Sequence, residues 1–360
     1  MLETKPSTAL SSGAAASAAP SLADKIAFLL RGDSYSPPAH GVSRRATHMS
    51  EVFLADGSVY KLKKPVRFPY LDFSTLERRE AACRAELRLN RRLAPDVYRA
   101  VVPLVRSAAG LAIGGAGEVV DWLVTMNRLD DAQMLDRVIG ERRLHRWQLD
   151  RVAAVLVQFY RRASAVFISP EMYRAQFWRS LAYNRRILLD PRFHLPAGTV
   201  HRIDALQRRF LAERSGLFVE RVRKRLIVDG HGDLRPEHIW LGDPVRIIDC
   251  LEFNARLRMV DPLDELAYLC VECERLGASW AGEYLRRRVA HALHDGHTDE
   301  LFLFYRCHRA TLRARLAIAH LLEPDPRTPE KWPVLTRTYL QLAHADAIRL
   351  ERTLRKQKDR

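Results

Sequence analysis

Apolar positions recur at helical spacing through most of the second half of the chain. Trp147–Tyr160, Pro170–Leu189, Val200–Leu211, Pro262–Leu276, Trp280–His294, Leu301–Leu322 and Pro333–Arg352 each carry an apolar stripe, which predicts a mainly helical region from Asp130 onward. Pro324-Asp-Pro326 and Pro329 mark its last large loop. The first half reads differently. Leu22–Leu30 predicts a short helix capped by Ser21, and Gly32, Pro37, Pro38 and Gly41 break the chain after it. Ser50–Leu54 and Val59–Leu62 predict a hairpin about Ala55-Asp-Gly-Ser58, because Asp-Gly favours a tight reversal. Thr75–Leu93 predicts a helix stopped by Ala94-Pro95. Val101–Val105, Leu111–Ile113 and Val119–Met126 complete an expected sheet of five strands, with Gly114-Gly-Ala-Gly117 as a hairpin turn. That glycine run lacks the following helix and the Lys-Ser/Thr ending of a P-loop. The pattern is α+β: a small, mostly antiparallel sheet with one main helix, then a larger helical part.

The stretch that breaks this pattern is Asp229-Gly-His-Gly-Asp-Leu-Arg-Pro-Glu-His238. Arg225–Val228 reads as a short strand before it, and Ile239–Leu241 and Val245–Ile248 as two more after it, about the turn Gly242-Asp-Pro244. His231 and Asp233 then lie in a loop between strands, and Asp249 ends the hairpin. Two carboxylates delivered by consecutive strand ends make a cation site for a phosphorylated ligand. Asp229 can equally be a turn former before Gly230. Asp261 followed by Pro262 fits an N-cap with proline at the first helical position.

Charge and cysteines narrow the classes. The formal net charge of +16 fits an anionic ligand or partner, although solvated arginine-rich helices give the same total. Charge is the one feature that favours nucleic acid; no aromatic-basic signature or helix-turn-helix pattern joins it, so nucleic acid is not the expected partner. No apolar run nears the ~20 residues of a membrane span. Five cysteines without framework spacing point to a reducing, cytoplasmic setting. Cys270-Val-Glu-Cys273 has the spacing of a zinc half-site but lies in a predicted amphipathic helix with no second pair, so both read as core residues. Residues 1–21, rich in Ser and Ala and without a signal-peptide pattern, read as a disordered tail; residues 353–360 read as a basic one.

His231-x-Asp233, four further residues, position 238, and then Asp249 after a hairpin together resemble the catalytic loop and metal-binding Asp of a kinase. Gly between His and Asp, followed by Leu and Pro, resembles more closely the aminoglycoside phosphotransferase family of small-molecule kinases. Asp249-Cys-Leu-Glu-Phe-Asn254, Leu257-Arg258 and Asp261-Pro-Leu-Asp-Glu-Leu266 resemble an uncharacterised bacterial branch, often fused to a P-loop kinase domain. The resemblance covers roughly Gly41–Leu276, and only the catalytic segment is specific.

The resemblance implies a two-lobe protein-kinase-like fold, with a nucleotide-binding N-lobe at 22–127 and a helical C-lobe at 128–352 that holds the catalytic loop 229–254. It implies transfer of a phosphoryl group from ATP to a hydroxyl of a small molecule. Asp233 becomes the base, and His231 a backbone-positioning residue of that loop. Asp249 becomes the Mg²⁺ ligand. Position 238, where the family has a metal-binding Asn, is His238, which suits Mn²⁺ better than Mg²⁺; Glu237 could supply the missing oxygen. Lys61, with Lys63 as second choice, becomes the phosphate lysine, and Glu86, with Glu80 as alternative, its helix partner. The family's Gly-rich loop is not evident. Arg45-Ala-Thr-His-Met-Ser50 stands in its place, where Thr47 and Ser50 could meet phosphate oxygens. Met126 and Asn127 fall at the hinge that bonds adenine. Glu252 and Asn254, just past Asp249, fall where a substrate or second cation would be met. The acceptor is unspecified; Arg-rich helices favour an anionic one, and the oligomeric state is open. Two other readings stay open: a nucleotide-binding pseudokinase scaffold, and a basic nucleic-acid-associated protein.

Overall fold

In the computed structural model, residues 19–296, 298–323 and 326–356 are described. The expected tail at 1–21 therefore falls largely outside the described residues, as do Pro324, Asp325 and the last four residues of the basic end. The chain divides into two compact units. One comprises the described residues up to Arg67, with Asp72–Cys83 and Val101–Thr125; the other holds Phe68–Leu71, Arg84–Ala100 and everything from Met126.

The first unit is built on a sheet. Its strands are β1 (Val42–Ala46), β2 (Ser50–Ala55), β3 (Ser58–Lys63), β4 (Tyr98–Ser107), β5 (Gly110–Ile113) and β6 (Glu118–Asn127), in the order β1-β2-β3-β6-β4-β5. The Asp56-Gly57 reversal joins β2 to β3, Ala55 facing Ser58, and Asp56 takes a φ of 48°, which Asp tolerates better than most residues. Six strands form instead of the expected five. The extra one, β1, is an edge strand whose Ser-Arg-Arg centre is exposed, so it carries no apolar alternation to read. The turn to β2 is closed by Thr47, whose amide and hydroxyl both donate to the Ser50 carbonyl while the hydroxyl accepts from the Ser50 amide.

Gly114–Gly117 is not the expected hairpin turn. It joins β5 to β6, which lie on opposite sides of β4. The chain crosses β4 so closely that a Cβ on Gly117 would sit 2.6 Å from the Arg106 carbonyl oxygen, and φ there is 150°. Close backbone approach, rather than a tight reversal, requires this glycine. Helix α1 (Leu22–Leu29) starts with a capping box between Ser21 and Asp24. Its Lys25 donates to Asp121 on β6 at 2.7 Å, and Arg79 donates to the same buried carboxylate at 2.7 Å. Asp121 is thereby paired twice, as a buried charge requires.

The second unit is helical. Arg146–Arg162, Pro170–Leu188, Ala197–Glu213, Pro262–Arg275, Ser279–Ala292, Asp299–Ala319 and Lys331–Lys356 fall where the apolar stripes predict them. The last of these carries the helix past the expected boundary at 352 into the basic end. Leu135–Gly140, Ser215–Arg223 and Ala255–Arg258 are shorter helices of the same unit. Pro262–Arg275 is buried on nearly every side, and Cys270 and Cys273 are free core thiols in it. A Cβ on Gly282 would lie 2.7 Å from Cys270 Cα, so a small residue lets the next helix close on this one. Asp261 caps the helix at the Leu263 amide and forms a two-pronged ion pair with Arg221, both bonds 2.6 Å.

His308 gives this unit an acid limit. Its ring packs on Phe177 with centroids 5.2 Å apart, Nε2 meets Ser180 Oγ at 2.9 Å, and Nδ1 is buried with no partner among the described residues. Burial, helped by Arg309 and Arg315, pushes it down to about 3. Above the unfolded value near ~6.5 both states are neutral and stability is full. Below it the unfolded chain binds a proton that the folded one refuses, so stability falls by ~1.4 kcal/mol per pH unit toward the folded value. Urea midpoints taken from pH 7.5 to 4.5 should drop accordingly, and His308→Gln should flatten that slope; an unchanged slope removes His308 as its source.

Candidate active site

The site is assembled within the second unit from three turns of chain. Val228–Asp229 pairs antiparallel with Met259–Val260, and the Gly230 amide donates to the Arg258 carbonyl at 2.9 Å. The chain then folds over the helix Pro262–Arg275. A Cβ on Gly230 would lie 2.7 Å from Glu265 Oε2, and Gly232 takes a φ of 87°, so both glycines are required by the path. Glu265 is the carboxylate that holds the loop. Its Oε2 accepts from the His231 amide and the Tyr160 hydroxyl, both at 3.1 Å, and its Oε1 from the Gly232 amide. Burial raises the Glu265 carboxyl, against the pull of these amides and of Arg309.

His231 is fully enclosed. The Asp233 amide donates to its Nδ1 at 3.3 Å, so Nε2 carries the proton and donates to the Ile248 carbonyl at 2.9 Å. Burial, with His238 nearby, pushes its pKa down to about 4 against the opposing Asp233 and Asp249. A neutral ring with both nitrogens engaged ties the loop to the following hairpin.

Asp233 keeps 28 % of its side-chain exposure. Tyr268 donates to Oδ1 at 3.1 Å and Arg235 Nε to Oδ2 at 3.1 Å. Burial would raise its pKa, but Arg235, His238 and Arg313 outweigh that and leave it below the usual carboxylate range. His238 sits between the two carboxylates: Nδ1 is 3.7 Å from Asp233 Oδ2 and Nε2 3.5 Å from Asp249 Oδ2. Its Nδ1 faces the Asp233 carbonyl at 2.8 Å, which can only accept, so Nδ1 bears the proton. Nε2 therefore accepts from Arg235 at 3.0 Å.

Asp249 is 46 % exposed and takes a φ of 60°, a left-handed conformation uncommon for a residue other than glycine. Its amide donates to the Tyr98 hydroxyl at 3.1 Å, and the next amide, of Cys250, to Asn90 Oδ1 at 2.8 Å. Arg92 and Arg258 both grip Asp229 and thereby fix the entry to the loop.

The remaining candidates stand elsewhere. Glu86 is fully buried in the helix Leu76–Asn90, and Met126 is buried at the end of β6. The Asn127 amide donates to the Val97 carbonyl at 2.8 Å and its side chain to the Asp96 carbonyl at 2.7 Å. In the first unit, Ser50 is buried and Thr47 serves its turn. Lys63 is fully buried with its ammonium 5.0 Å from the Phe73 ring centre, whereas Lys61 is half-buried.

Arg235, Tyr268, Glu265 and Tyr160 are the site residues that sequence reasoning passed over. One signal for two of them is present. Asp261, Glu265, Tyr268 and Glu272 fall at helical spacing on an otherwise apolar helix, a polar stripe that buries only where it meets polar partners.

Solved structures of the same fold include a choline kinase from Cryptosporidium parvum, 9% identical with a TM-score of 0.50 over 88% of this chain and 90% of that one. A thermostable mutant of the aminoglycoside phosphotransferase APH(4)-Ia is 12% identical with a TM-score of 0.50, over 88% and 98% of the two chains. The chain thus has the protein-kinase-like fold of the aminoglycoside phosphotransferases and choline kinases, with the sheet unit as its small lobe and the helical unit as its large one. In sequence it is similar to uncharacterized proteins of Mycobacterium tuberculosis and Mycobacterium bovis, 33% identical over 290 residues, 78% of this chain. It spans 56% of the length of those relatives. No family model matches it. Among the described residues, no helix is long and apolar enough to cross a membrane.

Proposed function

We propose that the chain transfers the γ-phosphoryl group of ATP to a hydroxyl group of a small molecule in the cytoplasm. The observation that carries this reading is the pairing of Asp233 and Asp249 about His238, one carboxylate held by Tyr268 and Arg235 and both open to solvent. The acceptor oxygen bonds to the γ-phosphorus as the bond from that phosphorus to the β–γ bridging oxygen breaks. The hydroxyl proton passes to Asp233, and ADP leaves with the electron pair. A carboxylate with lowered pKa is ionised before the step and so can accept that proton.

Asp249 offers the hard oxygen that Mg²⁺ takes beside phosphate oxygens and water, and the donor set fits that ion. Bound there, the ion would neutralise triphosphate charge. An imidazole–Mn²⁺ contact at His238 first requires Arg235 to release Nε2. Lys63 is proposed ahead of Lys61 as the phosphate lysine, because a fully buried, desolvated ammonium attracts an anion more strongly than the half-buried one of Lys61. Lys63→Met is expected to weaken ATP binding at least tenfold by calorimetry, and Lys61→Met less than threefold; the reverse order restores Lys61. Met126 and Asn127 are proposed beside the adenine, Glu86 as the lysine's carboxylate.

The test is incubation of the chain with Mg-ATP and a pool of hydroxyl-bearing metabolites, read by mass spectrometry for a gain of one phosphate. ATP binding without any gain would instead support the pseudokinase reading, which Arg235 on His238 Nε2 favours.

A further inference from the structure

A cavity of about 300 Å³ opens within the helical unit beside the catalytic loop, and Arg235 forms part of its wall. That volume lies at the lower end of small-molecule sites, ~300–1,000 Å³. Arg275, Arg313 and Lys331 line it too, above an apolar floor of Leu316 and Leu335.

The guanidiniums are fixed but not saturated. Glu272, fully buried behind the wall, accepts from Arg275 Nε at 2.7 Å and from Arg313 Nε at 2.6 Å. Arg275 Nη2 reaches Glu237 at 3.0 Å, and Arg235 is held by Asp233 and His238. Among the described residues, Nη1 of Arg235, of Arg275 and of Arg313 has no hydrogen-bond partner. Lys331 lies 5.2 Å from the Trp332 ring centre and, among the described residues, forms no ion pair with a carboxylate. Among the described residues, four cationic groups thus stand against the three carboxylates of Asp233, Glu237 and Glu272, with the His320–Glu323 pair beside them, so the wall offers more cationic donors than these carboxylates occupy. Arg306 and Arg286, by contrast, each meet two carboxylates, Glu274 with Asp346 and Glu283 with Asp299.

We propose that this cavity is the acceptor site, and that the acceptor carries an anionic group, carboxylate or phosphate, on a short apolar frame. The inference rests on the phosphotransfer reading. The anionic group is bound by Arg275, Arg313 and Lys331, whose guanidinium donors suit two-oxygen recognition. The hydroxyl then points to the Arg235 end, where Asp233 lies.

Binding decides the matter without turnover. Glycerol 3-phosphate and glycerate serve as anionic probes, glycerol and choline as uncharged and cationic ones, titrated calorimetrically into the full chain. The anionic probes are expected to bind, the other two not. Lys331 is exposed, so Lys331→Glu should fold normally and weaken the anionic probes at least tenfold. Lys224→Glu, the same charge change on another surface, should alter them less than twofold. Tighter binding of glycerol or choline, or equal loss in both variants, or none, overturns the anionic acceptor. A phosphate gain on an uncharged or cationic alcohol in the mass-spectrometric assay would overturn it too, yet leave the phosphotransfer reading standing. Anion binding lost with Lys331→Glu, without phosphate gain on any compound, would leave the pocket and remove that reading. Whether the carboxylate or the phosphate probe binds tighter names the anion.

Discussion

Asp233→Asn is expected to lower turnover ~10²–10⁴-fold while Mg-ATP affinity stays within twofold. The amide keeps the shape of the carboxylate and its contact with Tyr268, but it cannot take a proton from the acceptor. It also faces Arg235, which can only donate, so the amide must present its oxygen to Arg235 and its nitrogen toward the Tyr268 hydroxyl. That hydroxyl can turn to accept, so the fold is expected to tolerate the change. Initial rates with an identified acceptor, together with calorimetry for ATP, separate the two quantities. A variant that turns over like the parent chain would show that Asp233 is not the base. Asp249→Asn should give the opposite split, with weaker Mg-ATP binding, because its carboxylate answers to the metal and not to the acceptor.

Much of this was legible because it is local. Gly230 and Gly232 are required by the path of the loop, and the His231, Asp233 and Asp249 spacing follows from two short strands that flank it. The helical stripes, too, are local periodicities, and they located the long helices of the second unit. What escaped is what depends on partners. The edge strand Val42–Ala46 pairs on one side only and exposes its arginines, so nothing apolar marks it. Ser215–Arg223 follows the preceding helix after Arg214 alone, with no proline at the break. Gly114–Gly117 shows that a turn-rich sequence specifies a reversal but not which strand the chain meets next. Arg235 is one of 59 basic residues, and only the fold distinguishes it by placing it between Asp233 and His238.

Glu265→Gln should disable the site from a distance. Both oxygens of the carboxylate are in use: Oε1 takes the Gly232 amide, and Oε2 takes the His231 amide and the Tyr160 hydroxyl. A glutamine amide must put its NH₂ at one of these places. Tyr160 can rotate and accept from it, but a backbone N–H cannot, so the Gly232 or the His231 amide loses its acceptor. One buried N–H left unsatisfied costs ~1–3 kcal/mol. The loop can relieve that cost only by moving, and a shift of about 1 Å at the reacting groups is worth ~10²-fold in rate. The expected result is therefore a stability loss in that range with a fall in kcat, and little change in ATP affinity, since Glu265 touches only the loop backbone and Tyr160. Glu265→Ala leaves all three donors without this acceptor and should destabilise the helical unit further. Urea denaturation and initial rates measured on the same preparations check both effects. If Glu265→Gln matches the parent chain in each, the loop is held by His231 and its flanking strands alone.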